Sequence, residues 1–198
     1  MGGTGAKGFT LIELMMAIAV IGVVLAVTIP SFNEFRLNNR MTGAANDLLG
    51  ALNLARSEAI KRQQPVAFCG SPAPNADPPA CNNALTGWVV WVDGNNNAAI
   101  DANEQVVGTH EPLSTALNVT TNFNVISYAA TGFVQNFGPA TRAVLLCDQR
   151  GDAAPNDQLR KRILSLSPTG RPAVIRIGAH LADLPTPQPP INPNWQCP

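Results

Sequence analysis

Charged residues are scarce in this sequence, and their signs cancel. Only 13% of the 198 residues are Asp, Glu, Lys or Arg, and the formal net charge at pH 7 is zero. A chain without net charge has no overall field that would attract nucleic acid. Lys and Arg are absent from residues 63–141, which contain acidic residues, whereas residues 142–176 contain seven basic and three acidic residues. We therefore expect two electrostatically different sides, for which a solvated surface is the simplest explanation.

Residues suited to catalysis are also scarce. His110 and His180 are the only histidines, and neither lies near a candidate nucleophile or a group of carboxylates in the sequence. No glycine-rich stretch has the spacing of a phosphate-binding loop. The cysteines lack the Cys-x-x-Cys spacing of structural zinc sites. We predict that the protein is not an enzyme and that it needs no cofactor, with calcium as the one exception to consider.

The most informative stretch lies at the N-terminus, where an apolar run extends to Ile29 and contains one carboxylate, Glu13. As a helix this run is about 30 Å long, which matches the core of a bilayer. A carboxylate in such a helix costs roughly 2.5–3.5 kcal/mol at the bilayer centre, so Glu13 is expected to have a partner. Cleavage after Gly8 would supply one, because the new amino group of Phe9 lies four residues before Glu13 and shares its helix face.

The string Lys7-Gly8-Phe9-Thr10-Leu11-Ile12-Glu13 resembles the processing site of type IV prepilins and type II secretion pseudopilins. The resemblance implies that a prepilin peptidase cleaves between Gly8 and Phe9, that Phe9 is N-methylated, and that Glu13 guides subunit docking. It also implies a single-pass protein of the bacterial inner membrane with a periplasmic head, incorporated into a pilus or pseudopilus. A secretory signal peptide and a plain transmembrane anchor are the alternatives, although a signal peptide has no use for Glu13 in its apolar core.

The sequence divides into five segments. We predict a leader at 1–8, a transmembrane helix segment at 9–30, an amphipathic continuation at 31–64, a β-rich head at 65–184 and a proline-rich tail at 185–198. Pro30 is expected to kink or locally melt the helix, and Pro65 to end it. Apolar residues at steps of three and four mark one face of the continuation: Met41, Ala45, Leu48, Leu52, Ala55 and Ala59.

Short β-rich runs separated by Gly, Pro and Asn predict the head. The candidate strands are 66–69, 87–92, 104–107, 125–128, 143–147, 162–167 and 173–177, with a hairpin turn at Ser167-Pro168-Thr169-Gly170. The Gly-Trp-Val-Val-Trp-Val-Asp strand and the late Ser-Pro-Thr-Gly-Arg hairpin are similar to those of the FimT/FimU/GspH family of minor pilins and pseudopilins. The resemblance implies an α+β, type IV pilin-like fold, with a long kinked N-terminal helix packed on an antiparallel β-sheet head.

Four cysteines on the side that the anchor would translocate predict disulfides in an oxidising periplasm. Three pairings are open. We favour Cys69–Cys81, which closes a short proline-rich loop, and Cys147–Cys197, which would attach the C-terminal tail to a strand.

Residues 93–104 have side-chain oxygens at the spacing of a calcium-binding loop. They stand at loop positions one, three, five, nine and twelve: Asp93, Asn95, Asn97, Asp101 and Glu104. However, Ala98 occupies the position where such a loop needs glycine, and strand-like sequence flanks the loop. An asparagine-rich hairpin loop explains the same residues without an ion, and we favour it.

Gly170-Arg171-Pro172-Ala173 partly matches the Gly-Arg-x-Arg element of DNA-binding FimT-type members, with Ala173 in place of the second arginine. The residues proposed to contact phosphates are Arg160, Lys161, Arg162, Arg171 and Arg176. A solvated hairpin is the alternative, and we favour it. Trp88 and Trp91 would face opposite sides of a strand, so at least one is expected in the core rather than stacked on bases.

These observations predict a minor pilin that primes or caps a type IV pilus filament. One alternative is a type II secretion pseudopilin, and the other is a DNA-binding minor pilin for DNA uptake in natural transformation. The expected partners are other pilins or pseudopilins through the N-terminal helix, the prepilin peptidase, the inner membrane and, for the last alternative, DNA without sequence preference.

Overall fold

A computed structural model describes residues 8–82, 85–135, 142–150 and 161–176, without the side chains of residues 27–31 and 176. The chain divides into two compact units, Met1–Asn39 and Arg40–Pro198. The leader up to residue 7 and the predicted tail at 185–198 lie outside the described residues.

The N-terminal helix, α1, extends over Leu11–Arg62 as one 52-residue element. It continues through Pro30, so the local melting considered for that proline does not occur; a proline removes only one bond from the backbone ladder. The helix ends where Gln63 adopts a φ of 55° and Pro65 follows, as the sequence predicts.

A membrane span was predicted for residues 9–30 of this helix. Among the described residues, none of the helices has both the length and the apolarity that a bilayer crossing requires. The span is therefore not confirmed.

In the second unit, α1 buries the predicted apolar stripe. All six members of the stripe are at most 2% exposed: Met41, Ala45, Leu48, Leu52, Ala55 and Ala59. These six residues therefore pack in the core of the head.

The described strands form two antiparallel sheets rather than one. The strands are β1 (Val66–Ser71), β2 (Gly87–Val92), β3 (Val106–His110), β4 (Leu117–Thr121), β5 (Val125–Tyr128), β6 (Arg142–Asp148), β7 (Lys161–Leu166) and β8 (Pro172–Arg176). The first sheet has the order β3-β2-β1-β5, and the second has the order β4-β6-β7-β8. The α+β, pilin-like fold is confirmed, and the second sheet completes the head.

Two strand predictions need correction. β4 was not predicted, because its sequence contains only two apolar residues, Leu117 and Val119, and resembles a loop. β3 begins at Val106 rather than at Glu104. The reason is that Glu104 belongs to a turn, in which its backbone N–H donates to the carbonyl of Asp101 at 3.0 Å.

The sheets have apolar side chains on both faces. One cluster joins the stripe of α1 to the inner faces of both sheets, through residues such as Phe68, Trp88, Tyr128, Leu146 and Leu164. The outer face of the first sheet has its own cluster of Ala67, Cys69, Val89 and Trp91. The outer face of the second sheet has a cluster of Ala143, Leu145, Cys147 and Ile163. Burial on both faces explains why strands such as β2 are continuously apolar.

Two other predictions concern links within the head. The Ser167–Gly170 turn is confirmed, since the Gly170 N–H donates to the Ser167 carbonyl at 2.9 Å and Gly170 adopts a φ of 80° that favours glycine. Cys69 and Cys81 form the predicted disulfide. Cys147 is not a free thiol, but Cys197 lies outside the described residues, so that pairing stays a prediction.

Candidate functional site

The start of α1 is capped by Thr10. Its Oγ1 accepts a hydrogen bond from the Glu13 N–H at 3.3 Å, and its carbonyl accepts one from the Leu14 N–H at 3.2 Å. Thr-x-x-Glu is the spacing of a capping box, and it places the Glu13 carboxylate in the first turn, where the helix dipole favours an anion. The sequence analysis missed the role of Thr10, although a threonine three residues before a glutamate is a recognised signal for a helix start.

The first part of α1 exposes apolar side chains on every side. Each large apolar side chain from Phe9 to Leu25 is more than half exposed, with values from 52% at Leu25 to 85% at Phe9. Soluble proteins rarely expose so large a contiguous apolar surface unless it binds something. Gly8, Phe9 and Glu13, which the processing motif identifies, are all exposed at one end of this surface.

The loop between β2 and β3 brings together the five side chains named as calcium ligands. The buried carboxylate of Asp93 accepts hydrogen bonds from the N–H groups of Asn97 and Ala98, both at 3.0 Å. Asp101 Oδ2 accepts from the side-chain amides of Asn95 at 2.7 Å and Asn97 at 2.8 Å.

Glu104 closes the loop. Its Oε1 accepts from the Gly94 N–H at 3.0 Å, and its Oε2 accepts from the Asp101 N–H at 3.1 Å. Ala98, where a calcium loop needs glycine, adopts a left-handed φ of 60°. The described residues contain no group of three His, Cys, Asp or Glu side chains that could hold a metal ion, and calcium binding stays a prediction.

The five basic residues proposed to contact DNA do not form a described surface patch. Arg162 is only 5% exposed, because it lies on β7 in register with Leu146 of the inner cluster; its assignment as a phosphate contact is wrong for this conformation. Lys161 is half-buried and Arg171 is exposed. Arg160 and the side chain of Arg176 lie outside the described residues.

Trp88 and Trp91 are not available for base stacking. Trp88 is 2% exposed and Trp91 is 0% exposed, and they belong to the inner and outer clusters on opposite faces of β2. This confirms the prediction that they point to opposite sides. Trp91 also holds the β2–β3 loop, since its Nε1–H donates to the Ala99 carbonyl at 3.1 Å.

His110 has a structural environment. Its ring stacks on Trp88 with the ring centroids 3.9 Å apart, and its Nε2 lies 3.6 Å from the Asp47 carboxylate of α1. Its Nδ1 lies 2.6 Å from the Glu111 carbonyl oxygen. None of these three contacts includes a nucleophile. His180 lies outside the described residues.

Two titratable groups of the second unit have shifted pKa values. A hydrogen bond from Arg62, with Nε and Oε2 2.6 Å apart, lowers the pKa of Glu58 at the end of α1. Burial raises the pKa of Tyr128, whose hydroxyl has no hydrogen-bond partner among the described residues. Both shifts follow from packing or pairing within the head.

Comparison with known families gives two matches. A profile described as "Type II transport protein GspH" matches residues 44–170, and one described as "Prokaryotic N-terminal methylation motif" matches residues 4–29. The second match covers the predicted processing site and most of the apolar run.

Among curated proteins, a fimbrial protein of Pseudomonas aeruginosa is 35% identical over 66 residues, which are 33% of this chain and 42% of that protein. The chain thus spans about two fifths of that relative. A probable minor fimbrial protein of Dichelobacter nodosus is 30% identical over 118 residues, covering 59% of this chain and 70% of that protein.

Among solved structures, the type IV minor pilin FimU of Pseudomonas aeruginosa aligns with a TM-score of 0.53. The alignment covers 72% of this chain and 93% of that chain at 20% sequence identity. At this identity, the likeness concerns the fold.

Proposed function

We propose that this chain is a minor filament subunit that primes or caps a type IV pilus. The chain belongs to the GspH family of type II transport proteins. The minor pilins and pseudopilins of this family are structural proteins and not enzymes. A pseudopilus of a type II secretion system is the alternative. It would use the same helix-based assembly and differ in its partners.

The apolar surface at the start of α1 carries the proposal. A helix that packs only on its own domain shows one apolar stripe, as residues 41–59 do, whereas the side chains from Phe9 to Leu25 are apolar almost all round and exposed. Such a surface needs cover from outside the chain. We propose that the inner membrane covers it in the unassembled subunit and that neighbouring pilin helices cover it in the filament.

Glu13 gives this surface its specificity. We propose that a prepilin peptidase cleaves between Gly8 and Phe9, both of which are exposed, and that the new amine of Phe9 is methylated. The amine then lies at the N-terminus of the helix, and the carboxylate of Glu13 lies in its first turn. In apolar surroundings each charge gains from a partner, so Glu13 of one subunit would pair with the Phe9 amine of its neighbour.

Replacing Glu13 tests this pairing. We expect Glu13→Val to leave membrane insertion intact, because the substitution removes a charge from the apolar run. Incorporation into filaments should fall by more than about tenfold, since breaking an ion pair in apolar surroundings costs roughly 3–5 kcal/mol. The measurement is immunoblotting of sheared filaments against the membrane fraction.

Glu34 provides a matched control, because it is an exposed carboxylate on the same helix beyond the first turn. Glu13→Gln should lose incorporation, whereas Glu34→Gln should retain it. Normal incorporation of Glu13→Val would refute the docking role. Identifying the major subunit that co-purifies with the wild-type chain would distinguish a pilus from a pseudopilus.

A further inference from the structure

We propose that the free edge of β4, together with the groove beside it, is a docking surface for a second copy of this chain. In this arrangement the two β4 strands pair antiparallel about Val119. The contact involves only the head and is independent of the N-terminal helix.

β4 lies at one end of the second sheet and pairs on one side with β6. The N–H of Gln149 donates to the carbonyl of Ala116 at 3.1 Å, and the N–H of Asn122 donates to that of Ala143 at 3.4 Å. Since backbone groups of an antiparallel strand alternate in direction, the even-numbered residues of β4 face β6 and the odd-numbered ones face the free edge.

The free edge therefore carries the backbone groups of Leu117, Val119 and Thr121. Within the described residues, one of these groups has a partner, since the Leu117 N–H donates to the Ser114 carbonyl at 2.9 Å. Among the described residues, the N–H and C=O groups of Val119 and the N–H of Thr121 have no hydrogen-bond partner. Open groups at this spacing are what an added strand recognises.

An uncharged groove of about 340 Å³ lies along this edge. Its walls include Pro72, Thr86, Pro112 and Leu113 and the β4 residues Leu117, Asn118 and Val119. In a hydrogen-bonded pair of strands, the odd-numbered side chains of the incoming copy lie on the same face as Leu117 and Val119. A second Val119, and a second Thr121 that the pairing places opposite Leu117, would thus lie over the groove.

β4 also lacks the features that usually protect a sheet edge. Proteins guard edge strands with charged residues, proline or bulges. The other edge strands are each protected. β8 runs from Pro172 to Arg176 and follows Arg171, and β3 has a register shift where it pairs with Val90 and Trp91 of β2. β5 is partly covered, since the Gln135 N–H donates to the Ser127 carbonyl at 2.8 Å. In contrast, β4 and the residues around it, 112–124, contain no Asp, Glu, Lys, Arg or His. An unguarded, uncharged edge is suited to pairing with another uncharged strand.

A second copy is the occupant because the edge is self-complementary. A twofold axis through Val119 lets the two Val119 residues exchange N–H···O=C bonds. It also lets each Thr121 N–H donate to the Leu117 carbonyl of the other copy. The Leu117 N–H, which already has a partner, is not needed. No like charges oppose each other across the axis.

The test uses the full chain in detergent micelles. We expect analytical ultracentrifugation to show a concentration-dependent dimer, and amide hydrogen exchange at Val119 and Thr121 to slow as the dimer forms. Asn118 and Thr120 are exposed and would face each other across the twofold axis. Asn118→Lys combined with Thr120→Lys should weaken dimerisation about tenfold, because like charges directly opposite repel.

The matched control changes the same positions with opposite charges. Asn118→Lys combined with Thr120→Glu should restore dimerisation, since each lysine then faces a glutamate of the other copy. As a second variant, Val119→Pro removes an outward N–H but leaves the ladder to β6 in place, and it should also weaken the dimer. Thermal melting and the mass of the Cys69–Cys81 peptide would verify that each variant is folded.

Three results would overturn the proposal. The first is a chain that stays monomeric at the highest concentration reached. The second is a dimer that the two-lysine variant leaves unchanged, which would place the contact elsewhere, for example on the N-terminal helix. The third is a charge-paired variant that is as weak as the two-lysine variant.

Discussion

The two halves of α1 differ in how they use apolar residues. From Leu11 to Leu25, large apolar side chains are spread round the helix and are 52–77% exposed. From Met41 to Ala59, six apolar residues form a stripe on one face, and that stripe is at most 2% exposed. Hydrophobic content alone therefore does not identify a core. The angular distribution of the apolar residues shows whether a helix is covered by its own domain or by something outside it.

Leu52 and Leu14 test this comparison with the same substitution. Leu52→Ala should destabilise the head by roughly 2–5 kcal/mol, because Leu52 is 0% exposed and its loss leaves a cavity. Leu14 is 57% exposed, so Leu14→Ala should change the free energy of unfolding by less than about 0.5 kcal/mol. Urea unfolding followed by the fluorescence of the buried tryptophans measures both. Equal losses for the two variants would contradict the comparison.

The sequence predicted the parts of the fold that depend on local patterns. The stripe at Met41–Ala59, the Ser167–Gly170 turn and most strands each follow from residues close together in the chain. The division into two sheets did not follow, because it depends on pairings such as β4 with β6, and residues 122–141 separate these two strands in the chain. β4 itself has an edge-strand sequence in which only one face packs on the core.

For the candidate sites too, the sequence predicted features that depend on neighbouring residues better than features that depend on the fold. Gly8, Phe9 and Glu13 were proposed from a short linear motif, which the N-terminal methylation profile over residues 4–29 also matches, and their roles stay predictions. Arg162 was wrongly assigned to a surface because the direction of a strand side chain depends on register, and a one-residue difference reverses it. The calcium hypothesis was based on the spacing of side-chain oxygens in the loop. In the structure, the carboxylate oxygens of Asp93 and Asp101 accept hydrogen bonds from other residues of the same loop.

Asp93 and Asp101 allow a buried and an exposed carboxylate of the β2–β3 loop to be compared by the same substitution. Asp93 is 0% exposed and accepts two backbone hydrogen bonds, so Asp93→Ala should destabilise the head by about 1–3 kcal/mol. Asp101→Ala, at an exposed position whose partners can bond to water, should cost less. Thermal or urea unfolding of the two variants compares them directly, and a larger loss for Asp101→Ala would contradict the expectation.

The same samples test calcium. We expect unfolding curves in calcium and in chelator to coincide, because the oxygens of Asp93, Asp101 and Glu104 already accept hydrogen bonds within the loop. A rise in melting temperature with calcium that disappears in Asp101→Asn would instead establish the calcium site.

The smallest expected effect concerns the binding of DNA by the basic residues of the late hairpin. DNA affinity without sequence preference grows with each phosphate neutralised, and its log–log salt slope changes by about 0.9 per contact. Arg171 is exposed on the late hairpin, whereas Arg162 is 5% exposed and faces the inner cluster. One exposed arginine supplies about one contact, so we expect the chain to cause no salt-dependent shift of duplex DNA in a gel at low ionic strength.

If a shift is nevertheless seen, paired substitutions locate it. Arg171→Gln should then reduce the salt slope by about one, while Arg40→Gln, an equal change of charge at an exposed position on α1, should leave the slope unchanged. A slope of several units that survives Arg171→Gln would mean that DNA binds to basic residues outside the described hairpin, with Arg160 and Arg176 as the first to replace. In that case the uptake hypothesis would gain support, and the filament role would no longer be sufficient on its own.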